Sequence, residues 1–286
     1  MLSGIGDAAD LKTFGIKPRV NLPDVGRHLQ DHPIIDNYFV VNSNNTTDDL
    51  LRNSSLFNAT LAEWMENRTG IFGNAPASNL AFLRMAHNAS IFANVPDPAA
   101  GPRSGHIEII WRDEFAADLL TQPATGHFMT VNAAVVTPTS RGSVRLASTD
   151  PFESPLINPN FFDTTFDRFA MLSAVKLVRK FLTASPWQGF VAGRVGALGD
   201  AETDEEINTA LLDAVVSMWH PTSTARMAPR HVSWGVVDPQ LRVKGVRGLR
   251  IVDASVFPII PAAHTGGPVY IVAERAADII KADWGF

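Results

Sequence analysis

Two histidines stand where an imidazole could move a proton, His220 and His264. His220 follows an amphipathic stretch that reads as a helix. Thr203 and Glu206 form a capping box at its start, and Ile207, Leu211, Ala214, Val215 and Met218 make its apolar stripe. Pro221 cannot continue that helix, so His220 is expected at its C-terminal end, a rigid place from which to aim a ring. His264 lies in a proline-spaced loop ahead of another helix, expected over residues 268–281 with Pro268 at the first position. The positive end of that helix disfavours an imidazolium. A neutral ring with a free nitrogen can accept a proton near neutral pH, as a general base must. The competing reading of either histidine alone is structural: a hydrogen-bonded ring with no chemistry.

Other chemistries find less support. A metal site needs three or four ligands at workable spacing. Neither His220 nor His264 has an HxH, HxxxH or HExxH companion. His28 and His32 do have HxxxH spacing, but in the proline-bounded loop of residues 26–33, which by itself reads as a solvated connector. No GxSxG elbow marks a serine nucleophile. Ser3-Gly4-Ile5-Gly6 offers only GxG, with no strand before it and no third glycine, so a dinucleotide fingerprint is lacking. The absence of cysteine excludes disulfides, zinc–thiolate sites and thiol catalysis. A net charge of −5 with scattered basic residues leaves no electrostatic footprint for nucleic acid. No apolar run reaches the length of a membrane-spanning helix.

The elements that must position the histidines follow from periodicity and turn chemistry. Residues 8–14 read as a short helix, and residues 34–43 as a strand. Two helices are expected over 48–57 and 60–66, then an irregular loop at 94–104. Residues 106–111, 127–136 and 142–147 are strand candidates, the last two read as a hairpin across Pro138 to Gly142. A strong amphipathic helix is expected over 163–183, with Phe166, Phe169, Ala170, Ala174, Leu177, Val178 and Phe181 on one face and Pro186 ending it. Short strands broken by Gly245 and Gly248 fill 236–255, after which Val252 to Pro268 runs from a strand end through a loop to a helix start. That is how α/β proteins build anion and cofactor sites.

Asn44, Asn45, Asn53, Asn58, Asn67 and Asn88 each begin an N-x-[ST] sequon. Six sequons within 45 residues suggest a glycosylated surface segment of a secreted protein. The alternative is a polar region rich in Asn, Ser and Thr. No secretory signal opens this chain, which hints that the N-terminal part of a secreted parent is missing.

His220-Pro221-Thr222-Ser223-Thr224-Ala225-Arg226-Met227, Gly235-Val236-Val237-Asp238-Pro239, Gly248-Leu249-Arg250-Ile251-Val252-Asp253-Ala254-Ser255 and His264-Thr265 occur in that order. Together they resemble the C-terminal part of the glucose–methanol–choline (GMC) flavoprotein oxidoreductases. Leu2-Ser3-Gly4-Ile5-Gly6 and Val25-Gly26-Arg27-His28-Leu29-Gln30-Asp31-His32-Pro33 resemble the mid-chain signature of that family. Ser140-Arg141-Gly142-Ser143-Val144 and Pro155-Leu156-Ile157-Asn158-Pro159-Asn160-Phe161 resemble its substrate domain. Within the family the likeness is to fungal aryl-alcohol oxidases, through Asn42-Ser43-Asn44, the stretch Phe92 to Pro102, and Ala263-His264-Thr265 with Gly267-Pro268-Val269-Tyr270.

The resemblance implies an α+β fold: an antiparallel-sheet substrate domain with flanking helices, plus remnants of an α/β FAD-binding domain. The N-terminal Rossmann half with its GxGxxG is missing, and the chain is expected to be a C-terminal portion. Residues 1–38 would belong to the FAD domain and its cofactor-side loop, 39–225 to the substrate-binding domain, and 226–286 to the return into the FAD domain. The implied activity is FAD-dependent oxidation of an aryl or other primary alcohol to an aldehyde, by proton abstraction and hydride transfer to flavin N5. Oxygen would be the acceptor, and whether the enzyme is an oxidase or a dehydrogenase stays open. By the same resemblance His220 would take the hydroxyl proton and His264 would hydrogen-bond the substrate oxygen. Asp253, Ala254, Thr265, Gly266 and Gly267 would contact FAD, while Trp219 and Phe115 would line the aromatic pocket. The alternatives are a non-catalytic truncated remnant, or a hydroxynitrile-lyase-type member of the same fold. Without the Rossmann half, the chain alone is expected to hold FAD poorly and to expose apolar surface suited to a partner half.

Overall fold

The computed structural model describes residues 1–75, 77, 79–116 and 120–285. In chain order its elements are β1 (Ile5–Gly6), α1 (Ala8–Thr13), β2 (Val20–Asn21), β3 (Arg27–Leu29), β4 (Pro33–Val41), α2 (Asp48–Arg52), α3 (Ser54–Asn67), β5 (Asn79–Leu83), β6 (Ile107–Arg112), β7 (Phe128–Val135), β8 (Gly142–Arg145), β9 (Leu156–Asn158), α4 (Thr165–Phe181), β10 (Val191–Val195), α5 (Gly196–Asp200), α6 (Asp204–Ala214), β11 (Val216–Ser217) and α7 (Gly266–Trp284). They form two compact units. One is Met1–Pro33, Val136–Asp167 and Ser217–Phe286; the other is Ile34–Val135 and Arg168–Val216. Helices and antiparallel sheets are mixed, as the α+β expectation has it.

The second unit is built on one sheet with strand order β10-β4-β7-β6-β5, and β11 added to β4. Each neighbouring pair on that path is antiparallel. β7 is central, and all eight of its residues are buried. Its polar members are satisfied: Thr130 donates to the Glu114 carbonyl at 2.7 Å, and Asn132 donates to Asp36. Asp48 is the polar knot of this unit. Its carboxylate is fully buried and accepts the backbone N–H groups of Phe115 and Phe128 at 2.9 and 2.8 Å. α6 begins with both halves of the expected capping box: Glu206 N–H donates to Thr203 Oγ1 and Thr203 N–H donates to Glu206 Oε2.

The first unit carries a parallel pair, β1 with β2, and a three-stranded antiparallel sheet in the order β3-β8-β9. Its core gathers Leu22, Val236, Val237, Leu241, Val243, Val256, Phe257 and Ala276, with Val269 and Val272 of α7 packed against it. Short strands were expected over 236–255; residues 227–250 instead run through isolated bridges, Met227 with Val237, Val237 with Val243 and Arg242 with Arg250.

Four expectations need correction. Residues 127–136 and 142–147 do not form a hairpin: β7 pairs with β4 and β6, while β8 pairs with β3 and β9. The intervening turn is held otherwise, because the Asp167 carboxylate accepts the N–H groups of Thr139 and Ser140 at 2.7 and 2.9 Å. The helix leading towards His220 ends at Ala214, and Val216–Ser217 is already strand. Asn53 divides the helical region at 48–67 elsewhere than expected, since its side chain caps α3 by accepting from Ser55 and Leu56 N–H. The last helix starts at Gly266, placing Pro268 third, still in the turn where a missing N–H costs nothing.

The apolar face of α4 is also rotated from the expected stripe. Phe166, Ala170, Met171, Ala174, Val175 and Val178 are buried, but Leu177 and Phe181 are exposed.

Candidate active site

The site lies within the first unit, and two of its chain segments, residues 26–33 and the stretch around His220, are zipped side by side. Gly26 starts the first of them at φ +77°, and a Cβ there would come within 2.1 Å of the Val144 carbonyl oxygen, so only glycine fits. The loop beyond it pairs backbone to backbone with the segment around His220. Gln30 N–H donates to the Thr222 carbonyl at 3.1 Å, Thr222 N–H donates to the Gln30 carbonyl at 2.8 Å, and Met218 N–H donates to the His32 carbonyl at 3.0 Å. The side chain of Gln30 is buried and reaches both arms of the site. Its amide donates to Ser223 Oγ at 2.8 Å and its carbonyl accepts from Ile260 N–H at 3.2 Å.

Asp31 closes a tight turn over residues 217–220. One carboxylate oxygen accepts the backbone N–H of His220 at 3.0 Å, and the other accepts the hydroxyl of Ser217. Ser217 Oγ in turn accepts from Trp219 N–H at 2.9 Å. Inside this turn Trp219 sits at φ +61°, a left-handed conformation that a bulky residue adopts only under constraint. Trp219 is 87 % exposed, so packing does not supply that constraint; the Asp31 and Ser217 hydrogen bonds do. Burial pushes the Asp31 carboxyl above its usual range, against the opposing pull of its three donors, Ser217 Oγ and the N–H groups of His220 and His32.

Three histidines meet above this turn. His32 and His220 approach Nδ1 to Nδ1 at 2.9 Å, with ring centroids 5.1 Å apart and planes at 88°. His220 and His264 have centroids 5.3 Å apart at 48°. His32 is wholly buried, His220 half-buried and His264 exposed. Burial, then the neighbouring His264, pushes the His220 pKa down to about 4. Burial, then His220, pushes His32 down to about 3, only partly offset by the carbonyls of Val136 and Pro261. Both rings are therefore neutral at ordinary pH, and a neutral imidazole at the edge of solvent is a proton acceptor.

The segment 223–227 lines up with 254–256: Ser223, Ala225 and Met227 N–H donate to the carbonyls of Ala254, Ser255 and Val256. This fixes Asp253 and Ala254 beside the His220 arm. Asp253 is exposed and caps the short turn after it by accepting from Ser255 N–H at 2.8 Å. Thr265 precedes α7 but gives it no side-chain cap. Nothing lies within 4 Å of where a Cβ would sit on Gly266 or Gly267. An uncapped helix start with open space over two glycines accommodates a large group carrying negative charge, so these residues fit a flavin cofactor.

His220, His264, Asp253, Ala254, Thr265, Gly266, Gly267 and Trp219 thus all belong to the first unit. Phe115 belongs to the second, 2 % exposed and stacked on Tyr38 with centroids 4.2 Å apart, with Phe128 edge-on to it. The substrate role expected of Phe115 rests on the resemblance alone. The loop at 26–33 is no solvated connector, because Gln30, Asp31 and His32 are all buried. Asp31, His32 and Ser217 are the site residues that sequence reasoning missed. The signal was present: five polar or charged residues crowd into eight positions ending at a proline, inside a motif already matched to the family.

Residues 138–273 match the GMC oxidoreductase C-terminal domain family. The chain is 37 % identical over 290 residues to Dehydrogenase eriK of Hericium erinaceus, covering 98 % of this chain and 47 % of that protein. It is 33 % identical over 291 residues to Pyranose dehydrogenase 3 of Leucoagaricus meleagris, with the same coverage. Among solved structures, the formate oxidase of Aspergillus oryzae RIB40 superposes with a TM-score of 0.90 at 32 % identity, over 99 % of this chain and 51 % of that one. A fungal aryl-alcohol oxidase superposes with a TM-score of 0.78 at 27 % identity, over 99 % of this chain and 52 % of that one. The matched domain and these relatives place the chain with the C-terminal portion of the GMC oxidoreductases. It spans about half the length of the curated relatives it matches.

Proposed function

We propose that this chain carries the proton-accepting half of a secreted FAD-dependent enzyme that oxidises an aryl or other primary alcohol to its aldehyde, with oxygen as electron acceptor. The observation that carries the reading is the meeting of His220 and His264, 44 residues apart in sequence, with ring centroids 5.3 Å apart and His220 held neutral by burial. His220 takes the hydroxyl proton, which a neutral ring nitrogen can do. His264 hydrogen-bonds the same oxygen and orients the alcohol. Bound FAD supplies the acceptor for the hydride that leaves the alcohol carbon. Asp253, Ala254, Thr265, Gly266 and Gly267 would hold it, and the uncapped N-terminus of α7 would favour negative charge on it. Trp219, exposed beside His220, offers a flat apolar face to an aromatic substrate.

Secretion is supported by the sequons: Asn44, Asn45, Asn53, Asn58, Asn67 and Asn88 are all exposed. Among the described residues no helix is long and apolar enough to cross a membrane. Mixing the flavin-loaded enzyme with an aromatic alcohol under anaerobic conditions tests the function. Bleaching of the flavin absorbance is expected; a flavin that stays oxidised with every primary alcohol tried would refute the reading.

A further inference from the structure

A general base needs its lone pair on the right nitrogen, and the His32–His220 contact bears on which nitrogen that is. The two Nδ1 atoms are 2.9 Å apart, a distance that requires one proton between them. With both rings neutral there are two ways to place it. Either His220 donates from Nδ1, leaving its Nε2 bare, or His32 donates, which puts the His220 proton on Nε2 and removes the base.

The buried side of His32 distinguishes the two. Its Nε2 is fully enclosed and has no partner of good hydrogen-bond geometry among the described residues. The backbone groups that act on the ring are the carbonyls of Val136 and Pro261, both acceptors. With Nδ1 taken up by His220, Nε2 is the ring nitrogen left to these acceptors, and an N–H there is attracted to a carbonyl oxygen where a bare nitrogen is repelled. The proton of neutral His32 therefore belongs on Nε2, and its Nδ1 is left to accept. The other charged or titratable neighbours do not reverse this: Asp31 bonds the backbone N–H of His220 and not its ring, and His264 lies on the solvent side.

We propose that His32 is a positioning residue that sets the tautomer of His220, accepting the His220 Nδ1 proton and so keeping His220 Nε2 bare for the substrate hydroxyl. The importance of this for turnover rests on the alcohol oxidation proposed above; the tautomer itself does not. The ring nitrogen that carries the proton is fixed by the bond made at the other, and here that bond is to a buried imidazole supplied by the loop around Gly26 to Pro33.

Long-range nitrogen–proton correlation spectra of the histidine-labelled protein, recorded near neutral pH without substrate, read the tautomers directly. The expected pattern is a protonated Nδ1 and bare Nε2 on His220, and the reverse on His32. A protonated Nε2 on His220 would overturn the proposal. Two substitutions add a functional readout in the flavin-loaded enzyme. His32→Leu removes the acceptor and should mix the His220 tautomers and slow flavin reduction by about 10²-fold or more, with KM changed far less. His32→Asn can place an amide oxygen where Nδ1 stood and should restore the His220 signals and most of the rate. Equal losses in both variants with unchanged His220 signals would show a merely structural role and overturn the proposal. Because the spectra need no substrate, their outcome is separate from whether any alcohol reduces the flavin.

Discussion

The carboxylate of Asp31 holds the backbone of His220 across 189 positions of sequence, through a 3.0 Å bond from His220 N–H to Oδ1. Its other oxygen takes the Ser217 hydroxyl, so one buried acid shapes the whole turn that presents the base. Asp31→Ala removes both acceptors and leaves buried donors unpaired, which costs roughly 1–3 kcal/mol for each group left unsatisfied. A lower urea midpoint together with slower flavin reduction is expected. A variant as stable and as fast as the wild type would show that the turn does not depend on Asp31.

Trp219 offers the opposite case. Its φ of +61° strains a bulky residue by about 1–2 kcal/mol, and the residue is 87 % exposed, so little packing would be lost on removing its side chain. Trp219→Gly should hold or raise the melting temperature while weakening the use of aromatic alcohols relative to small aliphatic ones. Loss of stability would mean that the ring is buried by something that covers it in the whole enzyme.

The pH response follows from the two buried rings. His32 and His220 have pKa values of about 3 and about 4 in the folded protein, against ~6.5 for an unfolded chain. Between those values the unfolded state binds more protons, so stability falls as pH drops below ~6.5 and levels off only near the folded values. For His32 the slope is roughly 1.4 kcal/mol per pH unit across that window. The rate of flavin reduction should likewise fall on the acid side with an apparent pKa near 4. An acid limb centred near 6.5 would show that the base is solvated and not held as described.

Asn53 joins modification to stability. Its Oδ1 caps α3 by accepting from Ser55 and Leu56 N–H, while a glycan would attach at Nδ2, so cap and glycan can coexist. Asn53→Gln should lose one glycan and also cost about 1 kcal/mol; Asn58→Gln, on the exposed face of α3, should lose a glycan only. Glycosidase digestion with mass measurement, and thermal melts of protein from a eukaryotic secretion host, check both. Unshifted masses would argue that these sequons are unused.

Much of this was legible in the sequence where local rules govern. The Thr203–Glu206 capping box, the helix ahead of Pro186 and the strand after His106 depend on neighbours in the chain, and they stand close to where periodicity placed them. The β7–β8 turn was misread because its tether, Asp167, lies 27 residues beyond Ser140 and nothing local announces it. His220 was identified by type, but the reason for its rigidity was not. It owes its place to Asp31 and His32, far away in sequence, and not to a helix end. A buried polar loop and a solvated polar loop have the same composition; only the partner segment tells them apart.

Anaerobic stopped-flow reduction of the flavin-loaded enzyme by an aromatic alcohol, comparing wild type with His220→Ala, tests the central claim most directly. Rapid bleaching in the wild type and a loss of about 10²–10⁴-fold in the variant are expected, the range typical for removing a positioned base. Reduction of His220→Ala at a near-normal rate would contradict the assignment of His220 as the group that takes the proton.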